Sequence, residues 1–163
     1  MKFMIHTDGG ARGNPGPAAV GVVIEICQLN QLPNPTNKKP VIIEFGKRIG
    51  ETTNNVAEYT AVREALKEVK SQKIKGKSED QKTKIEIHFC LDSMLVVNQL
   101  NGIFKVKDAK LRELLVQVKI LESEIGGTIT YQYVPREQNR RADYFVNHAL
   151  DTLMSSSQSN SRV

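Results

Sequence analysis

Tryptophan is missing from this 163-residue chain, cysteine occurs twice and histidine three times. The two thiols, Cys27 and Cys90, sit in apolar, strand-like runs and form no CxxC pair. They exclude a disulfide framework and a cysteine zinc site, and both are read as buried free cysteines. No run approaches the ~20 apolar residues of a membrane span, so no membrane partner is expected. The first residues, Met1-Lys2-Phe3-Met4, carry neither a long apolar region nor a small-residue cleavage site, which makes a cytoplasmic location the expectation. There is no internal repeat and no break in composition that would divide the chain.

What remains is ordinary for a globular protein: 39% hydrophobic and 25% charged residues, enough for one domain with a sizeable core. The net charge of +5 permits a polyanionic partner without demanding one. One domain over residues 1–154 is expected, and Ser155 to Val163 reads as a disordered polar tail. A monomer is expected.

Within that single expected domain, residues 1–154, the pattern alternates between strand and helix signals. Lys2 to Thr7 reads as a first strand with Phe3 and Ile5 on one face. Asp8-Gly9-Gly10-Ala11-Arg12-Gly13-Asn14-Pro15-Gly16-Pro17 reads as a glycine- and proline-rich loop. Val20 to Cys27 and Val41 to Ile49 read as strands flanking a long polar loop, Gln28 to Pro40. Asn54 or Asn55 is placed to cap a helix on which Val56, Tyr59, Val62, Leu66 and Val69 recur. Lys73 to Lys84 reads as a solvated connection, and Ile85 to Leu91 as a fourth strand. Helices over Ser93–Leu100 and Asp108–Ile125, a strand over Thr128–Val134 and a helix over Asn139–Met154 complete the pattern. The order βββαβααβα predicts an α/β fold: a mixed five-stranded sheet with helices on both faces.

Four acids fall where an enzyme would use them. Asp8 and Asp92 end two strands, Glu58 lies early in the first helix, and Asp143 lies near the start of the last. Ligands collect at the carboxyl ends of parallel strands in open α/β sheets. Clustered carboxylates repel, and divalent cations remove that cost. Taken singly, each acid also has an ordinary reading. Asp8 before Gly9-Gly10 suits a turn, Asp92 before Ser93 suits a helix cap, Glu58 a solvated face, and Asp143 a helix N-terminus.

The segments around these acids carry a family resemblance. Thr7-Asp8-Gly9-Gly10-Ala11-Arg12-Gly13-Asn14-Pro15-Gly16-Pro17 resembles the opening motif of type 1 ribonucleases H. Thr52-Thr53-Asn54-Asn55-Val56-Ala57-Glu58, Leu91-Asp92-Ser93 and Asn139-Arg140-Arg141-Ala142-Asp143 resemble the family's three later motifs, in the same order. The resemblance spans roughly residues 2–150 and implies a ribonuclease H-like catalytic domain. It implies an endonuclease that hydrolyses the RNA strand of RNA–DNA hybrids, leaving 5′-phosphate and 3′-hydroxyl ends. Asp8, Glu58, Asp92 and Asp143 are then the catalytic, metal-binding carboxylates for two Mg²⁺ ions, with Mn²⁺ able to substitute and Asp8 bridging the pair. Gly9 and Gly10 would meet ribose, Asn14, Asn54 and Asn55 the minor groove, and Thr53 a DNA-strand phosphate. For the asparagines, turn formation and capping is the alternative reading.

The chain departs from many relatives in two places. The loop Val134-Pro135-Arg136-Glu137-Gln138 holds no histidine, so Arg136 or Glu137 would stand in for one; His6, His88 and His148 are read as structural. The segment Leu100 to Asp108 is too short for the family's basic protrusion, leaving Lys105, Lys107, Lys110 and Arg112 as phosphate contacts or a solvated helix start. Both departures resemble the archaeal-like subgroup, some members of which also accept double-stranded RNA. The competing readings are a catalytically weak or inactive binding module of the same fold, and another nuclease of the wider superfamily.

Overall fold

The computed structural model describes residues 1–27, 40–75 and 84–158, with side chains as far as Thr152. Its elements are β1 (Lys2–Ala11), β2 (Gly16–Cys27), β3 (Val41–Thr52), α1 (Asn54–Lys75), β4 (Glu86–Leu91), α2 (Met94–Leu100), α3 (Ala109–Ile125), β5 (Thr128–Tyr133), a 3₁₀ turn (Arg136–Gln138) and α4 (Arg140–Gln158). The strands form one five-stranded sheet in the order β3-β2-β1-β4-β5. The first three pair antiparallel, while β4 pairs parallel with both β1 and β5. The expected mixed sheet and order of elements are therefore present.

Each face of the sheet is covered, for reasons visible in the side chains. Phe3 and Ile5 of β1, Val22 and Ile24 of β2, and Ile87, Phe89 and Leu91 of β4 pack with Tyr59, Val62, Leu66 and Val69 of α1. Leu111, Leu114 and Val118 of α3 close the same core. Each such side chain contributes roughly 1.5–3 kcal/mol on burial. The other face is thinner: Val146 and Leu150 of α4 pack on Ala19. That face depends on close backbone approach. A Cβ on Gly21 would lie 2.0 Å from the Ala142 carbonyl oxygen, so only glycine lets α4 sit this low on β2.

Several boundaries differ from those expected. Asp8 to Ala11 belong to β1 rather than to a loop, because pairing with β2 continues through Asp8↔Gly21 to Ala11↔Ala18. The glycines there serve packing, not turning. Strand β3 runs on to Thr52. Helix α1 extends to Lys75, so the start of the expected Lys73–Lys84 connection is helical, and residues 76–83 lie outside the described residues. The same holds for residues 28–39 of the long loop. Helix α4 reaches Gln158, four residues beyond its expected end, and 159–163 of the expected tail lie outside the described residues. Cys90 is buried as expected, but Cys27 is exposed at the last position of β2; both are free. Among the described residues, no helix is long and apolar enough to cross a membrane.

Candidate active site

The parallel ladder between β1 and β4 ends at His6↔Cys90. Asp8, on β1, and Asp92, directly after the end of the adjacent β4, lie just past that point. Asp92 does not cap the following helix: Ser93 does, its Oγ accepting from the Val96 amide at 3.3 Å. The Asp92 carboxylate is thereby left for another task. Glu58 is brought in by Gly9. A Cβ at Gly9 would lie 2.2 Å from the carbonyl carbon of Ala57, so glycine allows α1 to rest directly on β1 beside Asp8. Gly21, which pairs with Asp8 across the ladder, seats α4 at Ala142 in the same way and delivers the next residue, Asp143.

Asp8, Glu58 and Asp92 each place a carboxylate oxygen within 4.8 Å of the other two. Asp143 lies outside that group of three but within hydrogen-bonding reach of the Asp8 carboxyl. Asp8 is 5% exposed and Glu58 7%. Burial, then the charges of Asp92 and Asp143, push the Asp8 carboxyl up to about 7, against the opposing hydrogen bond from the Gly9 amide. Burial, then Asp8 and Asp92, raise Glu58 well above the usual carboxylate range, and the Arg136 guanidinium opposes the rise.

The donor set fits a hard divalent cation. Glu58 Oε2 and Asp92 Oδ2 are buried and have no hydrogen-bond partner among the described residues. Buried carboxylate oxygens without donors are costly unless a cation completes them. All four groups offer oxygen only, which suits Mg²⁺, Mn²⁺ or Ca²⁺ rather than a thiophilic metal. The acidic cluster can hold a metal.

A cavity of about 370 Å³ is lined by Asp8, Glu58 and Asp143, though not by Asp92, and also by Gly9, Gly10, Arg12, Asn54, Arg136 and Asn147. Arg136 therefore reaches the site, whereas Glu137 is exposed and does not line it. A second cavity of about 570 Å³ is lined by Asn14, Thr53, Asn54, Asn55, Asp108 and Lys110 among others, so Asn54 borders both. The oxygens of this second group are already in use. Asn14 Oδ1 accepts from the Asn54 amide at 3.0 Å, and Asn54 Oδ1 accepts from the Ala11 amide at 2.9 Å. Thr53 Oγ1 accepts from the Val56 amide at 3.3 Å and caps α1. The helix cap expected at Asn54 or Asn55 therefore falls to Thr53, while the bonds of Asn14 and Asn54 tie the β1–β2 hairpin to the start of α1.

Of the histidines, His6 meets Asn139, His88 meets Thr130 and His148 stacks on Tyr144, as structural roles require. Arg112 donates to the Lys107 carbonyl at 2.8 Å and Lys110 lines the second cavity, while neither Lys105 nor Lys107 lines either cavity. Two residues at the first cavity were not expected from sequence. Arg12, paired with Asp151 at 2.5 Å, sat in a glycine-rich stretch that reads as loop, and Asn147 carried no signal beyond its spacing from Asp143.

Comparisons with known proteins agree with this geometry. A family profile described as "Reverse transcriptase-like" matches residues 6–149. The "Bifunctional protein Rv2228c" of Mycobacterium tuberculosis is 36% identical over 159 residues, which is 96% of this chain and 37% of that protein. The chain thus spans little more than a third of the curated relatives that it matches at this level. The crystal structure of LC11-RNase H1 in complex with an RNA/DNA hybrid is similar at 38% identity and a TM-score of 0.74, covering 93% of this chain and 99% of that one. RNase H1 from the halophilic archaeon Halobacterium salinarum is similar at 34% identity and a TM-score of 0.74, again over 93% and 99% of the two chains.

Proposed function

From the premise that this chain belongs to the type 1 ribonuclease H family, we propose that it hydrolyses the RNA strand of RNA–DNA hybrids, using the four carboxylates Asp8, Glu58, Asp92 and Asp143 to hold two Mg²⁺ ions. The observation that carries this reading is the trio of carboxylates within 4.8 Å, Asp8 and Glu58 buried and Asp92 half-buried, two of whose oxygens lack any donor among the described residues. The LC11 enzyme was captured on an RNA/DNA hybrid, which supports the choice of duplex.

Bound divalent cations supply the Lewis acidity that activates a water and the charge that stabilises the departing oxygen. The overall reaction adds water across a phosphodiester: the phosphorus–O3′ bond breaks, and the products carry a 5′-phosphate and a 3′-hydroxyl. The protein's part is to hold the acids together. Without cations, the Asp8 and Glu58 carboxyls hold protons more tightly than ordinary carboxylates do, so metal binding would be linked to proton release. Arg136, close enough to Glu58 to favour its ionised form, lines the same cavity and is suited to a substrate phosphate. Glu137 remains the second substitute for the missing loop histidine.

Duplex choice falls to the neighbouring cavity. With their oxygens bound to backbone amides, Asn14 and Asn54 keep their Nδ2 groups without a protein partner among the described residues. Such donors suit the acceptors of a minor groove and a ribose 2′-hydroxyl. Gly9 and Gly10 line the first cavity and Asn55 the second, and in this reading Thr53 meets a DNA-strand phosphate. Mn²⁺ can substitute for Mg²⁺ in this reading, and the protein works as a cytoplasmic monomer. The test is cleavage of three labelled duplexes, RNA–DNA, RNA–RNA and DNA–DNA, with Mg²⁺. Cutting of the hybrid that disappears in Asp8→Asn is expected. Binding without cutting, or cutting of DNA–DNA, overturns the proposal; cutting of RNA–RNA as well would widen its substrate range.

A further inference from the structure

Asn139 is 1% exposed and stands between β1 and α4, the two elements that carry Asp8 and Asp143. Its Nδ2 donates to the Thr7 carbonyl at 2.9 Å. That carbonyl lies one residue past the end of the parallel ladder with β4 and belongs to the peptide group that leads into Asp8. The carbonyl of Asn139 accepts from the Asp143 amide at 3.1 Å, in the first turn of α4. One residue therefore bonds to the peptide group that leads into Asp8 and to the amide of Asp143.

The orientation of its amide follows from chemistry. The Thr7 carbonyl can only accept, so Nδ2 must face it and Oδ1 must face the other way. There Oδ1 meets His6 Nδ1 at 3.3 Å. Because Oδ1 can only accept, the His6 Nδ1 must carry a hydrogen and donate. The chain of bonds runs from His6 through Asn139 to the Thr7 carbonyl.

We infer that Asn139 is a positioning residue that sets the placement of Asp143 against Asp8, with His6 locking its amide. It touches no substrate. It acts as partners behind metal ligands do, by holding the ligands' backbone in one arrangement. This inference rests on the metal-dependent reading of the site, and the two can fail separately.

The experiment compares wild type, Asn139→Ala, His6→Ala and His6→Asn by Mn²⁺ calorimetry and by hybrid cleavage, with folding checked by circular dichroism. Asn139→Ala is expected to weaken Mn²⁺ binding and lower kcat by about 10–100-fold each, with KM for the hybrid nearly unchanged. His6→Ala should follow in the same direction more weakly. His6→Asn, whose Nδ2 stands where the imidazole Nδ1 stood, should restore wild-type behaviour and keeps the test decisive should Asn139→Ala not fold. A purely structural role would lower the melting temperature without moving Mn²⁺ affinity or kcat. Unchanged affinity and kcat in folded Asn139→Ala, or in His6→Ala, beside a competent wild type overturn this inference alone. A wild type that binds no Mn²⁺ overturns the functional reading and this inference with it.

Discussion

Helix α1 carries two buried acids, Glu58 and Glu64, that the protein treats in opposite ways. Burial alone would raise both. Around Glu64 the rise is outweighed: Lys67 and Lys47 each bond to it at 2.9 Å, Arg63 lies at 3.2 Å, and its carboxyl falls to about 2. Around Glu58 the nearest charges are Asp8 and Asp92, and the carboxyl rises. A carboxylate that serves the fold receives its cations from the chain. The acids beside Glu58 are left for cations from outside, and the fold bears the repulsion until they arrive.

The largest effect that would sharpen this contrast is on cleavage. Asp8→Asn should lower kcat roughly 10³-fold or more, about 4 kcal/mol in the barrier, while Glu64→Gln should leave it within about two-fold. Single-turnover cleavage of a labelled hybrid measures both. Equal losses in the two variants would break the distinction.

The next effect is on stability, with opposite signs. Glu64→Gln removes the partner of three cations and should cost about 1–3 kcal/mol, a discount on a fully buried pair because its lysines are half exposed. Glu58→Gln removes a carboxyl whose ionisation burial and its acidic neighbours oppose, so it should stabilise the metal-free protein increasingly as pH rises. A kilocalorie shifts the melting point about 2–4 °C at this size, so scans in chelator resolve the signs.

The pH dependence follows the same division. The Asp8 carboxyl is raised from 3.8 to about 7, so the folded state holds its proton more tightly than the unfolded chain. Its contribution is present below pH 3.8 and is lost as pH rises through about 7. The Glu64 carboxyl is lowered from 4.5 to about 2, so its contribution is present above pH 4.5 and is lost as pH falls through about 2. Denaturation in chelator across this range should show the first slope vanish in Asp8→Asn and the second in Glu64→Gln.

The smallest effect concerns the neighbouring cavity. Asn14→Ala removes the cap on the Asn54 amide and should cost about 1 kcal/mol of stability, with a few-fold rise in KM and little change in kcat. A large fall in kcat instead would move Asn14 into the reacting centre.

Much of this arrangement was legible in the sequence because it is local. Helical spacing marked Tyr59, Val62, Leu66 and Val69 as one face, and all four are buried in the core. Acids at strand ends marked Asp8 and Asp92. What escaped depends on contacts between distant segments. Gly9 and Gly21 read as turn or strand residues until α1 and α4 are seen resting on them. The stretch after Asp8 was taken for a loop for that reason. The ion cluster of Glu64 depends on Lys47, which lies on a different element, and the bond from Asn139 to Thr7 spans 132 positions. Nothing in the composition of the loop separates Arg136, which reaches the cavity, from Glu137, which does not.

The central claim is that buried, protonated carboxyls wait for divalent cations. Calorimetry of Mn²⁺ binding near pH 7, in two buffers of different ionisation enthalpy, tests it most directly. Wild type should bind and release protons, and Asp8→Asn should release fewer while binding more weakly. Binding without proton release, or the same release in both proteins, would contradict the account.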